Sequence, residues 1–181
     1  RLLSRGLGDV YKRQDKILLY GSCNIDEANK LSEYLKNTSD IDLAFEINGE
    51  ANLVFSKYAI IFLCGDSYLK LSEPQIQDLN RIILNGSLLL IDNYRSDYTL
   101  SIFLKKLLAE YPERNIFISE VLKNNPYRIN FEQLQFNSKQ VYISEKLRVL
   151  ALKDGSIFEN VNDDNNLRLG SSIIFNYLIG N

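Results

Sequence analysis

Three apolar runs with almost no polar interruption organise this chain: KILLY at residues 16–20, YAIIFLC at 58–64 and SLLLI at 87–91. A strand that faces solvent on one side alternates polar and apolar residues. A strand covered on both sides does not, and these runs have the second character. Between them the period changes from two to 3.6. Ile25, Ala28, Leu31 and Leu35 fall on one face of a helix over residues 25–37, with Lys30, Glu33 and Lys36 opposite. Asn24 is placed to cap that helix, and Asp26 and Glu27 sit in its electropositive first turn. Ile76, Leu79, Ile82 and Ile83 form the stripe of a second helix over 73–85. Ser72 with Gln75 gives it a capping-box pattern, Pro74 suits its first turn, and Gly86 stops it. Leu100, Phe103, Leu104, Leu107 and Leu108 predict a third helix over 98–111, with Asp97 as its cap and Pro112 beyond its end.

The weaker signals complete an order. Residues 41–47 and 115–119 read as strands, and 140–145 with 147–155 as a hairpin or two adjacent strands. Residues 48–57 form a connector in which Leu53, Val54 and Phe55 make a short helical turn. SYLKL, at 67–71, reads as a loop. Residues 167–179 carry the last amphipathic stripe. Strands alternating with helices at this spacing require right-handed crossovers and a mainly parallel sheet with helices on both faces. The expected fold is a three-layer, flavodoxin-like α/β domain over residues 15–181. Residues 1–14 have no period and resemble a translated sequencing-adapter tail, as at the ends of assembled metagenomic reading frames. They are expected to be non-native and to contribute nothing to the fold.

Composition narrows the chemistry. The chain is 45% hydrophobic, enough for a sizeable core, and its net charge of -2 comes without any basic block or stripe. Binding to a nucleic-acid backbone therefore lacks its usual electrostatic footprint. No apolar run approaches the ~20 residues that cross a bilayer. Histidine is absent, so a Ser-His-Asp or Cys-His catalytic set cannot form within the chain. Cys23 and Cys64 have no metal-type spacing. They are expected to be two small buried apolar residues; a disulfide is open to them, but spacing alone does not specify one. There is no G-x-G-x-x-G and no lysine-bearing phosphate loop, so no nucleotide cofactor is expected, and no metal either.

In a parallel sheet of this kind a ligand site lies beyond the C-terminal strand ends, near the reversal in strand order. Those ends carry Ser22 and Cys23, then Gly65 and Asp66, then Asp92, Asn93 and Arg95. These seven are the candidate ligand-binding residues. No residue is assigned a catalytic role. Asp66 and Asp92 admit two roles. They can position a ligand, hold a cation or do acid-base work, or each can cap its own loop through backbone N–H groups. Their oxygens suit a hydroxyl, an amine or a hard cation and suit phosphate poorly. Arg95 can pair with either carboxylate, clamp an anion or stay solvated. A low pKa for Cys23, near the start of the first helix, would need an activator that histidine cannot supply here.

FLCGD, LSEPQIQDLNRIILNGSLLLIDN, the NNPY turn and the terminal LRLGSSIIFNYLIG together resemble one family, over most of residues 16–181. It is the bacterial domain-of-unknown-function family 4159, whose fold is similar to that of class I glutamine amidotransferases. The family tends to carry His where this chain has Asp66 and Asn125. Amidotransferases place a nucleophilic Cys on a tight elbow after the strand that here ends SLLLID, and this chain offers Asp92-Asn93-Tyr94 there instead. The resemblance implies an amidotransferase-like fold without that chemistry: a non-catalytic module of an envelope-associated system, binding a small molecule or a protein. Relatives are often exported, so a periplasmic or envelope location is the expectation that follows. The alternative is a hydrolase-like enzyme using Asp66 and Asp92 with a divalent cation.

Overall fold

A computed structural model describes residues 16–39, 41–48, 53–108, 114–117, 122, 140–143, 149–153, 156–158 and 164–179. The adapter-like tail and the NNPY turn lie outside them. The strands are β1 (Lys16–Gly21), β2 (Ala44–Ile47), β3 (Ile60–Cys64), β4 (Leu88–Tyr94), β5 (Arg114–Phe117), β6 (Gln140–Ile143) and β7 (Val149–Lys153). The helices are α1 (Ile25–Ser39), α2 (Glu73–Leu84), α3 (Asp97–Leu107) and α4 (Asp164–Ile179).

The sheet runs β2-β1-β3-β4-β7-β6-β5. The first five strands are parallel, and β6 and β5 continue the sheet antiparallel. This is a flavodoxin-like, three-layer α/β fold. The three long apolar runs lie at its centre, where both faces need apolar cover. On one face Ile17, Leu19, Ile60, Phe62, Leu88 and Leu90 pack against Leu31 and Leu35 of α1 and Leu169 and Ile173 of α4. On the other, Leu18, Ile61, Leu63, Leu89 and Ile91 pack against Ile76 and Leu79 of α2 and Leu100 and Phe103 of α3. Fully burying each such side chain contributes about 1.5–3 kcal/mol.

Local signals set the helix ends. The Asn24 side chain accepts from the N–H groups of Asp26, at 3.1 Å, and Glu27, at 3.3 Å. Gln75 Oε1 accepts from Ser72 N and Ser72 Oγ, both at 2.9 Å, which fixes the start of α2. Two expectations need correction. The cap of α3 is Ser96, whose Oγ accepts from Thr99 N, not Asp97; Asp97 is the first helical residue. Most of the segment read as the loop SYLKL belongs to 3-10 helix, in a stretch over Gly65–Lys70 that kinks at Asp66, with Tyr68 buried.

Candidate functional site

A cleft of about 620 Å³ opens at the C-terminal ends of β1, β3 and β4. Here the connections diverge: β1 leads through α1 to β2 on one side, while β3 and β4 follow on the other. All seven residues singled out from the sequence line this cleft: Ser22, Cys23, Gly65, Asp66, Asp92, Asn93 and Arg95. Gly21, Asn24, Cys64, Ser67, Lys70, Ser156 and Phe158 line it as well.

Register explains why they meet. Gly21 of β1 pairs with Cys64 of β3, and Cys64 pairs with Asp92 of β4, so one row of the sheet carries all three. Gly21 has φ +97°, and a Cβ there would lie 2.4 Å from Ser67 Cβ. Only glycine lets the 3-10 helix seat Ser67 over the end of β1, where its Oγ donates to Tyr20 O at 3.1 Å. Gly65 has φ +60° and nothing within 4 Å of a built Cβ.

The cysteines do not stay apart as two small apolar side chains. Cys23 and Cys64 form a disulfide, with Cα atoms 5.3 Å apart. The sequence could not specify this, because the pairing depends on β3 lying beside β1 in the register that sets Gly21 opposite Cys64. The bond ties the turn before α1 to the end of β3 on the cleft wall, and it removes both thiols as nucleophiles.

Asp92 was expected just past its strand. Instead β4 runs on to Tyr94, and Asp92 lies within it, 1% exposed. The pairing of β4 with β7 slips between Ile91 and Tyr94, and Asn93 takes φ 61°. A bulge of this kind re-aims side chains and is common at functional edges. It directs the Asp92 carboxylate at the segment after β7. Oδ1 accepts from Ile157 N at 3.1 Å, and Oδ2 accepts from Ser156 Oγ. Ser156 Oγ accepts in turn from Phe158 N at 3.0 Å. Asp92 thus latches residues 156–158 onto the sheet.

Asp66 holds a different segment. Its Oδ1 lies 3.4 Å from Arg95 N and 3.4 Å from Tyr68 OH. Tyr68 OH is also 2.8 Å from Thr99 Oγ1. Burial pushes the Tyr68 phenol above its usual range and the Asp66 charge adds to this, while the bond to Thr99 acts the other way. The two carboxylates share no hydrogen-bond partner. Arg95 and Lys70 are exposed on the cleft wall, and neither side chain makes an ion pair or hydrogen bond among the described residues.

Five cleft residues were missed for identifiable reasons. Lys70 was hidden in a segment read as loop. Asn24 was read as a helix cap and nothing more. Ser67 reaches the cleft only through the close approach at Gly21. Ser156 and Phe158 come from beyond β7, some 64 residues after Asp92. Among the described residues no three acidic or cysteine side chains gather as a metal site, and no helix is long and apolar enough to cross a membrane. No protein-family model matches the sequence, and no curated protein matches it.

Proposed function

We propose that this domain is a non-catalytic ligand-binding module with its site in the cleft at the β1–β3 divergence. The observation that carries this reading is the commitment of the reactive groups around the cleft to structure. Both cysteines are joined to each other. Asp92 is buried and bonded to Ser156 and Ile157. Ser156 and Ser67 hydroxyls are bonded within the wall. Without histidine, the commonest base for activating a hydroxyl or water is missing. The hydrolase alternative needs Asp66 and Asp92 free to act together, and each instead holds its own segment.

The resemblance to an amidotransferase-like fold fits this proposal. That resemblance implies that Asn93, whose φ is positive, stands near the position where an amidotransferase elbow would carry its cysteine. The disulfide supports a location in an oxidising compartment, because such bonds persist mainly in secreted or periplasmic proteins.

A thermal-shift screen of small metabolites tests the proposal, run in parallel on the wild type and on Ser22→Trp. Ser22 is exposed on the cleft rim, so the indole should fill the cleft at little cost to folding. Ligands that stabilise the wild type should lose their effect in the variant. Hydrolytic turnover abolished by Asp66→Asn with Asp92→Asn would overturn the proposal.

A further inference from the structure

We infer that the cleft takes a compact oxyanion, a carboxylate or phosphate group on a small hydroxylated molecule, held by Arg95 and Lys70. This rests on the proposal that the cleft is a ligand site, and it reverses the expectation that phosphate would be poorly accommodated. That expectation gave the cleft to its two acids. The structure gives its available groups a different character. Both Asp92 oxygens already accept hydrogen bonds, and the side chain is buried behind the wall. Asp66 spends Oδ1 on Arg95 N and Tyr68. Among the described residues, the only charged groups on the wall that combine exposure with no partner are the two cations.

Their placement is built rather than incidental. Asp66 accepts from the backbone N–H of Arg95, so the acid fixes where the arginine leaves the end of β4. Lys70 closes the same 3-10 helix that begins at Gly65 and Asp66. The two cations share the cleft with one carboxylate whose second oxygen, Oδ2, has no partner among the described residues. A guanidinium and an ammonium suit an oxyanion, and a carboxylate oxygen suits a hydroxyl or amine donor. The start of α1 adds little: Asn24 caps it, and Asp26 and Glu27 oppose an anion there.

Calorimetric titration at low salt tests the assignment, with inorganic phosphate, glycerol 3-phosphate, malate and, as a neutral control, glycerol. Glycerol 3-phosphate or malate should bind, and glycerol should not. Arg95→Gln and Lys70→Gln should each weaken binding by about tenfold or more, the effect of losing one hydrogen bond between charged groups. Asp66→Asn keeps Oδ1 as an acceptor, and should narrow the preference for glycerol 3-phosphate over phosphate. Binding that persists in the Arg95→Gln, Lys70→Gln double variant would mean an adventitious ion only and would overturn the inference. Absence of binding by every anion would overturn it too. If neutral metabolites then bind in a manner that Ser22→Trp blocks, the cleft remains a ligand site and only the oxyanion assignment fails.

Discussion

Reducing the Cys23–Cys64 bond should cost this protein several kcal/mol without unfolding it. The bond closes a loop with a sequence separation of 41. In the chain-entropy picture, crosslinking a loop of that length removes about 4 kcal/mol worth of freedom from the unfolded chain. The folded state needs the bond less. β1 and β3 are paired from Ile17↔Ile60 to Gly21↔Cys64, so the ladder already brings the two cysteines together. Reduction retains both sulfur atoms, which need only separate to van der Waals contact, and opens no cavity, which makes it a cleaner perturbation than substitution. Urea unfolding of oxidised and reduced protein, followed by circular dichroism, reads the effect. With an m-value of about 2–3 kcal/mol/M, the midpoint should fall by roughly 1.3–2 M on reduction, and m should rise as the freed chain exposes more surface. Alkylation and mass measurement confirm which species is present. An unchanged midpoint would refute the reasoning. So would a reduced protein already unfolded without urea, because the bond would then be holding β1 to β3 rather than restricting the unfolded chain.

Three further outcomes follow from the same geometry. Gly21→Ala should destabilise by about 2–4 kcal/mol, because the new methyl meets Ser67 at a positive φ; Gly65→Ala, with open space around it, should cost only about 1–2 kcal/mol from φ alone, and equal costs in urea unfolding would contradict the packing argument. Asp92→Ala strands the buried Ile157 N–H and should cost about 2–4 kcal/mol, whereas Asp92→Asn keeps an acceptor and should cost about 1–2 kcal/mol; the reverse order in thermal unfolding would sink the latch. The Lys16 ammonium, then the Tyr58 hydroxyl, hold the Glu46 carboxyl below its ordinary value of 4.5. A lowered folded pKa gives stability that is present above the ordinary value and is lost as pH falls through the folded one. The advantage of wild type over Glu46→Gln, a few tenths of a kcal/mol for so exposed a pair, should therefore stay level above about pH 4.5 and vanish below it; an advantage that grows on acidification would contradict the assignment.

Much of this fold was legible because burial on both faces leaves a signature in the sequence. The runs at 16–20, 58–64 and 87–91 have no polar alternation, and they are the three strands at the sheet centre. Asn24 and the Ser72–Gln75 pair were legible because caps act within one helical turn. The cleft was legible as a place, since parallel topology fixes which strand ends converge. The roles of its residues were less so, because each depends on partners distant in sequence. The Asp92 latch needs Ser156 and Ile157. The disulfide needs the order β1-β3. The 3-10 helix at Gly65–Lys70 is too short to show a period, and it hides Lys70 in what reads as a loop.

The two walls of the cleft are constrained differently, and that difference is what the proposal of recognition over reaction rests on. On the side facing α1, covalent and buried contacts fix the wall: the disulfide anchors the turn before α1, and Asp92 anchors residues 156–158. A wall held this way loses little freedom when a ligand arrives, which lowers the cost of binding. On the side facing α3, Asp66 fixes the backbone of Arg95 and leaves its side chain exposed. Long cationic side chains on a fixed backbone can close over an anion and open again. Chemistry would demand the opposite arrangement, with a reactive group positioned and left free at the centre. The central row holds Gly21, a disulfide-bonded Cys64 and a buried Asp92. Every one of those positions is committed to holding the cleft open and in shape. On the proposed reading, the groups left to act on a ligand lie on its rim, and their chemistry is that of charge and hydrogen bonding.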